Sequence, residues 1–418
     1  MNKSIIIGLL VLFMERGTQI ISAIYANHLI SRHLTIEQFG VWQYAFTFSN
    51  VLMTLSWMCG SESVVPKLTG YSLREKLSYC NVIFFTRIFV SFFATLITLV
   101  AAFTVDSEVV KYYLLITSIS ILVREPLMIG FAKWQSEGKL YYSGAIQIIG
   151  CGVRIATLYL IVTAYGVNEK LLAVPWVLEG VLVGLCIYCC SIGKIPSVKS
   201  FNYADIKQLL KRSFFIWGGV VAYAIFIKLD RILLKEYLNA DIYGIYSAAS
   251  QLNENTASVT LILIQVIAPL LLYKHNKWSE YNKNLIRLCT AMAGFFILLS
   301  ISIMPFSQSI FNFVFGHEYE MSAKYYNMLI FLLPLYAIDN MINAANLISK
   351  SYYYYSIKWA VIFIFCISVF LILNNTFKNL AIINMYISLS TSLLLSVSIS
   401  IYWYLTVTKK HMMDNKND

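Results

Sequence analysis

Charge is scarce in this sequence. Asp, Glu, Lys and Arg make up 13% of its 418 residues and hydrophobic residues 59%, with a mean hydropathy of +0.68. A soluble domain carries about a quarter of its residues as charges, so that class is excluded. The five histidines form no ligand cluster, so no metal site is expected. The eight cysteines (59, 80, 151, 186, 189, 190, 289 and 366) lie in or beside apolar runs, with neither disulfide nor metal spacing; Cys186, Cys189 and Cys190 read as small helix fillers. No outer loop is long enough for an extracytoplasmic catalytic domain. No inner loop holds a glycine-rich phosphate cradle or a nucleotide-binding domain, so hydrolysis does not drive this protein unaided. Strict alternation of apolar and polar residues is also missing, which excludes a membrane β-barrel. A net charge of +11 invites a nucleic-acid reading, but the basic residues are strung along loops between apolar runs, and none is expected as a partner.

What the chain has is long apolar runs of bilayer length, which in lipid must be helical because every backbone group has to be satisfied internally. The runs predict twelve spans: 5–28, 37–59, 81–104, 111–131, 142–165, 171–192, 213–236, 242–272, 287–310, 324–348, 357–374 and 380–407. The first continues to full span length after Asn2 and Lys3, unlike a cleavable signal peptide. The eighth is overlong. Pro126, Pro175, Pro269, Pro305 and Pro334 fall inside or near the edges of spans, where proline bends a helix. Tyr352 to Tyr355 form an aromatic band of the kind found at membrane interfaces. With the N-terminus in the cytoplasm, inner segments hold 18 Lys and Arg and outer segments six, the latter being Arg32, Lys111, Lys170, Lys235, Lys324 and Lys378. That bias places both termini in the cytoplasm.

One stretch recurs. LISRHLTIEQFGVWQYA at Leu29–Ala45 returns as LLKEYLNADIYGIYSAA at Leu233–Ala249, at a constant offset of 204 residues. Leu34 meets Leu238, Glu37 meets Asp241, Phe39 meets Tyr243, Gly40 meets Gly244 and Trp42 meets Tyr246. The offset holds six spans, so both copies cross the membrane in the same sense. The expected fold is all-α: a six-helix N-terminal lobe (1–196), a cytoplasmic linker (197–212) within the polar joint Gly193 to Arg212, and a six-helix C-terminal lobe (213–418). A pseudo-twofold along the membrane normal relates the lobes, with a cleft between them.

Eight basic residues fall within spans: Arg16, Arg87, Arg124, Arg154, Lys228, Arg231, Arg287 and Lys358. Acids there are Glu15, Glu125, Glu179, Asp230, Glu254 and Asp339. Each costs about 2.5–3.5 kcal/mol at mid-depth, so they must face one another or a wet cavity. Arg287 and Lys358 lie near span ends and are expected to snorkel. Lys228, Arg231 and Lys235 form one basic stripe at i, i+3, i+7. Asp339, Asn343, Asn346 and Lys350 form a polar stripe. Glu15, Gln19, Ser22 and Ala26 give span one a polar or small face. Spans one, two, seven and eight are then the expected cleft walls. Arginine stays charged when buried and a carboxyl tends to take up a proton, so the cavity is expected to be cationic and suited to phosphate or pyrophosphate. The candidate substrate residues are Arg16, Arg124, Arg154, Lys228, Arg231, Lys235, Asn343 and Asn346. Glu15, Asp230, Glu254 and Asp339 are candidates for ion or proton coupling. For any single charge, a structural ion pair is the alternative.

The run GLLVLFMERGTQIISAIYANHLISRHLTIEQFGVWQYAFTFSN and its echo KLDRILLKEYLNADIYGIYSAASQL resemble the O-antigen and polysaccharide flippases (Wzx-type) of the multidrug/oligosaccharidyl-lipid/polysaccharide (MOP) exporter superfamily. The resemblance spans essentially the full length on loose motifs, the Phe39–Trp42 signature and Asp-Arg in span seven. It implies a MATE-like fold and translocation of undecaprenyl-diphosphate-linked oligosaccharide from the cytoplasmic to the periplasmic leaflet by alternating access. It further implies the bacterial inner membrane, a transporter rather than an enzyme, no cofactor, and polymerase and chain-length proteins of the same pathway as partners beside membrane lipids. Arg16, Lys228, Asp230 and Arg231 match the family's charged cavity by position and type. A cation-coupled drug exporter of the same fold would want an acidic, aromatic-lined cavity. A membrane polymerase or glycosyltransferase would want a substantial outer loop, and a passive channel has no use for two charge-paired lobes.

Overall fold

Apolar runs of this length become helices that end where proline, a capping residue or a charge cluster interrupts them. The computed structural model describes residues 3–164, 168–193, 203–272, 277–346 and 352–414. The chain forms two compact units, Met1–Ala224 and Ile225–Asp418. The first holds α1 (Lys3–Ser31), α2 (Ile36–Thr54), α3 (Ser61–Leu68), α4 (Leu73–Thr104), α5 (Glu108–Leu127), α6 (Ile129–Ser136), α7 (Leu140–Ala164), α8 (Val174–Ser191) and most of α9 (Tyr203–Leu234). The second holds the end of α9, then α10 (Ala240–Ile267), α11 (Trp278–Ile303), α12 (Ser307–Val314), α13 (Ser322–Leu329), α14 (Leu333–Asn346), α15 (Tyr352–Thr376), α16 (Ala381–Trp403) and α17 (Lys409–Asp414). Among the described residues there is no strand, as the sequence requires.

Nine helical stretches among the described residues are long and apolar enough to cross a membrane. Expected spans one, two and eight coincide with α1, α2 and α10, which are 29, 19 and 28 residues long; the count of twelve rests on the sequence pattern. Of the expected linker, 197–202 lie outside the described residues and 203–212 are the first turns of α9. Lys194, Lys199, Lys274, Lys350 and Lys416, used in the orientation argument, also lie outside the described residues.

The prolines sit where helices change course. Pro126 lies in the last turn of α5 before the α5/α6 break, and Pro175 in the first turn of α8, where a missing N–H costs nothing. Pro305 lies in a 3-10 turn, Met304–Phe306, between α11 and α12. Pro334 follows another, Ile330–Leu332, at the start of α14. Pro269 lies in a π-helical turn, Ala268–Leu272, that prolongs α10 and accounts for the overlong eighth run.

The repeated stretch folds alike in both copies. Leu34 N donates to Ile30 O and Leu238 N to Leu234 O, each at 3.1 Å; Phe39 N donates to Thr35 O at 2.9 Å and Tyr243 N to Asn239 O at 2.8 Å. These are the same bonds displaced by the 204-residue offset of the sequence repeat. Thr35 and Asn239 are the N-caps of α2 and α10, residue types suited to the role. Phe39 and Tyr243, Trp42 and Tyr246, and Ala45 and Ala249 are all buried. The aromatic-Gly-hydrophobic-aromatic pattern is therefore a packing signature, set on one helix face by the i, i+3 spacing.

Charges within the helices pair across neighbours. In the first unit Arg154 meets Glu179 at 3.0 Å, and Arg87 donates to the carbonyls of Cys59 (2.7 Å) and Glu125 (3.1 Å). In the second, Lys358 corrects the expectation that it snorkels. It is 1% exposed, and its ammonium contacts both Asp339 carboxylate oxygens (2.7 and 2.8 Å), Asn343 Oδ1 (2.9 Å) and Ser400 Oγ (2.8 Å). Ser388, Ser392, Ser396 and Ser400 are all buried along one face of α16. Ser396 and Ser400 also donate to Asp339, so an acid on α14 outcompetes the interface for the Lys358 amine. Lys358→Ala is expected to cost about 3–5 kcal/mol of stability by stranding a buried carboxylate. Combining Lys358→Met with Asp339→Asn is expected to recover most of it, both read from thermal melting of the purified protein.

Candidate functional site

The first unit encloses a cavity of about 320 Å³. Five helices supply its wall: Arg16 and Gln19 from α1, Phe46, Ser49, Asn50 and Met53 from α2, Tyr113, Thr117, Ser120, Ile121 and Arg124 from α5, Gln147 and Arg154 from α7, and Trp176, Val177, Glu179, Gly180 and Val183 from α8. Three arginines therefore converge on one space in a unit built of apolar helices.

They are not equally neutralised. Arg154 is held by Glu179 at 3.0 Å and donates to Ser22 Oγ at 2.7 Å; its guanidinium lies 5.9 Å from the Trp176 ring. Arg16 donates to the amide oxygen of Gln19 at 3.1 Å, and Gln19 donates to Gln147 at 2.9 Å. Arg124 approaches Glu125 at 3.8 Å and the Met53 sulfur at 3.9 Å, and its Nε has no hydrogen-bond partner. Arg16 and Arg124 thus keep donors to spare toward the cavity.

Local sequence explains how Arg124 gets there. Gly180 and Gly184 of α8 form a small-xxx-small pair facing α5. A Cβ on Gly180 would come 2.9 Å from Ser120 Oγ and 3.0 Å from Arg124 Cδ, and one on Gly184 would sit 3.4 Å from Arg124 Cα. The missing side chains let α8 close on α5 and leave room for the arginine stem.

The other sequence-selected residues lie elsewhere. Arg231 is fully buried; with Lys228 it engages the Glu254 carboxylate, and it also donates to Gln251. Lys235 lies 5.6 Å from the Tyr243 ring. Asp230 accepts from Tyr246 (2.9 Å) and Ser250 (2.5 Å). Asn343 belongs to the Lys358–Asp339 cluster, while Asn346 reaches Tyr354, the Ser400 carbonyl and Thr408. Glu15 is buried and accepts from Gln19 at 3.4 Å. The structure thus gathers Arg16, Arg124 and Arg154 around one cavity, and places Lys228, Arg231, Asp339 and Asn343 in ion-paired clusters of the second unit. Sequence reasoning did not anticipate Gln147, Trp176, Tyr113 or Asn50, nor α5, α7 and α8 as walls. Gln147 and Asn50 gave a usable signal as amides within apolar runs; the aromatics gave none.

Long apolar helices with charges turned inward define a multi-pass membrane protein. The chain belongs to the polysaccharide biosynthesis protein family, which matches residues 3–275. No curated protein sequence matches it. Among solved structures it resembles a lipid II flippase MurJ in an inward closed conformation, with a TM-score of 0.69 and 18% identity over 98% of this chain and 89% of that one. It also resembles an inward-facing multidrug resistance MATE transporter of the MOP superfamily, with a TM-score of 0.68 and 11% identity over 100% and 99%. A MATE in a bent conformation gives 0.65 and 12% over 100% and 97%. The expected MATE-like fold is therefore the observed one.

The unequal neutralisation has a direct consequence. Arg154→Ala, which strands Glu179, is expected to lower stability by about 3–5 kcal/mol. Arg16→Ala and Arg124→Ala, which break no short ion pair, are expected to cost less than about 1 kcal/mol. Thermal melting of the three variants checks the ranking.

Proposed function

We propose that this protein is a flippase for lipid-linked oligosaccharide, carrying an undecaprenyl-diphosphate-linked repeat unit from the cytoplasmic to the periplasmic leaflet of the bacterial inner membrane. The observation that carries this reading is the cavity in which Arg16 and Arg124 present guanidinium donors without a short carboxylate contact. Transferring a diphosphate into oil is prohibitive unless charge-assisted, bidentate bonds replace its water, and guanidinium forks supply them. Arg154, steadied by Glu179, offers a third cation at fixed geometry. Gln19, Asn50 and Gln147 match sugar hydroxyls as donors and acceptors, and the Trp176 face suits the apolar face of a sugar ring. Family membership in polysaccharide biosynthesis supports the same substrate class.

Movement follows alternating access of the two lobes, 1–196 and 213–418, about the pseudo-twofold. Asp230, Glu254 and Asp339 are held by hydroxyl or basic partners. Glu15 has an amide neighbour and lies beside Arg16, so it is the carboxyl best placed to couple proton uptake to release of the anion. A cationic-drug exporter is disfavoured by three arginines in one cavity. The protein acts without cofactor and not as an enzyme, with the polymerase and chain-length proteins of the pathway as further partners.

Arg16→Ala and Arg124→Ala are each expected to reduce flipping at least tenfold with protein abundance unchanged, and Arg124→Lys to be nearly as severe because a point charge lacks the fork. Leaflet-resolved measurement of the lipid-linked glycan, in cells lacking the protein and complemented with each variant, reads these effects; normal periplasmic delivery in cells lacking the protein refutes the reading. Reporter fusions at Lys67 and Lys170 are expected to report cytoplasm and periplasm, as both termini inside requires.

A further inference from the structure

The cavity has an apolar counterpart on the outside of the same wall. Between the exposed faces of α1 and α7 runs a groove of about 530 Å³, bordered by Ile21, Tyr25, Ile148, Gly152, Ile155 and Tyr159. Two further lining residues, Ser22 and Cys151, tie it to the cavity. Ser22 Oγ accepts from Arg154 at 2.7 Å, and Cys151 Sγ lies 3.7 Å from Glu179 Oε1. Arg154 and Glu179 both line the cavity. A single layer of side chains therefore separates an apolar groove from a cationic pocket.

α7 packs against α1 at one glycine and faces the groove at another. A Cβ on Gly144 would lie 2.6 Å from Val11 and 3.3 Å from Glu15, so the backbones are close there. A Cβ on Gly152 would meet nothing within 4 Å, and Gly152 and Ala156 are exposed in the groove. Two hydrogen bonds bridge the α1/α7 seam, Gln19 to Gln147 (2.9 Å) and Arg154 to Ser22 (2.7 Å). Both are made by groups that also bind phosphate oxygens, so an arriving diphosphate can replace each bond it breaks.

We infer that the α1/α7 seam is a lateral portal for the substrate, with the polyisoprenyl chain lying in the outer groove while the diphosphate passes between Gln19–Gln147 and Ser22–Arg154 to reach Arg16 and Arg124. The inference rests on the flippase reading above and adds the tail's binding site to it. The occupant is a polyisoprenyl chain with an anionic head: the adjoining groove and cationic pocket call for an apolar tail joined to an anion, and the flippase reading supplies the isoprenoid.

The test combines a plug with a crosslink. Gly152→Trp fills the groove, and Gly152→Ala leaves it open. A photo-crosslinking amino acid at Ile155 reports the occupant, with one at Leu298, an exposed position on α11 in the second unit, as control. The protein is reconstituted in phosphatidylethanolamine and phosphatidylglycerol vesicles with undecaprenyl diphosphate as probe. Expected are a flipping rate at least tenfold lower for Gly152→Trp than for Gly152→Ala, and a probe crosslink at position 155, absent at 298, that polyprenol without the diphosphate does not compete away. Normal flipping by a folded Gly152→Trp overturns the inference, as do phospholipid-only crosslinks at position 155. Either result leaves the flippase reading intact if Arg16→Ala still blocks delivery; delivery that never depended on the protein removes the reading itself. Should Gly152→Trp fail to fold, the crosslink and its competition decide alone.

Discussion

A charge in oil must be answered by another charge, by a full set of hydrogen bonds, or by water. Much of this molecule follows from that rule. Lys358 is fixed by Asp339 and by two further acceptors, Asn343 Oδ1 and Ser400 Oγ. Lys228 and Arg231 share Glu254. Arg87 is satisfied by main-chain carbonyls at Cys59 and at the end of α5. Once these are accounted for, Arg16 and Arg124 stand out, because their surroundings leave donors facing open space. The proposed site is thus read from what the electrostatics leave over rather than from any motif.

The duplicated stretch shows which part of the architecture is fixed and which is free to change. Its backbone bonds coincide at a 204-residue offset, and its aromatic residues pack the same way. Its neighbours differ: Asn27 accepts from Gln43 where the second copy has Arg231 held by Gln251 and Glu254. A conserved turn between paired helices and divergent charges beside it is what a shared scaffold with asymmetric duties looks like.

Much of the fold was legible because bilayer length and proline position are written directly in the sequence. Bends at Pro126, Pro305 and Pro334 could be anticipated, although the expected spans 111–131, 287–310 and 324–348 ran through residues where the helices in fact break. The buried arginines were also legible, since a charge inside an apolar run has few explanations. Their partners were not. Lys228, Arg231 and Lys235 share a helix face, and that face suggested an open cationic stripe, but Glu254 on the next helix closes it; periodicity describes one helix and says nothing of the neighbour it meets. Lys358 looked like an interface lysine by its position near the start of an apolar run, yet α15 begins at Tyr352 and places it against Asp339. Trp176 and Tyr113 line the cavity with no signal to set them apart from other aromatics in a chain with 15% of them.

The ion pairs share a feature with consequences for biogenesis. Asp339 and Lys358 are 19 residues apart, and Arg231 and Glu254 are 23; in each pair, as with Arg154 on α7 and Glu179 on α8, the partners sit on successive long helices. A nascent chain can therefore present the translocon with electrically balanced hairpins, each acid or base meeting its counterpart one helix later during synthesis. Insertion in pairs then avoids the expense of releasing a lone charged segment into lipid.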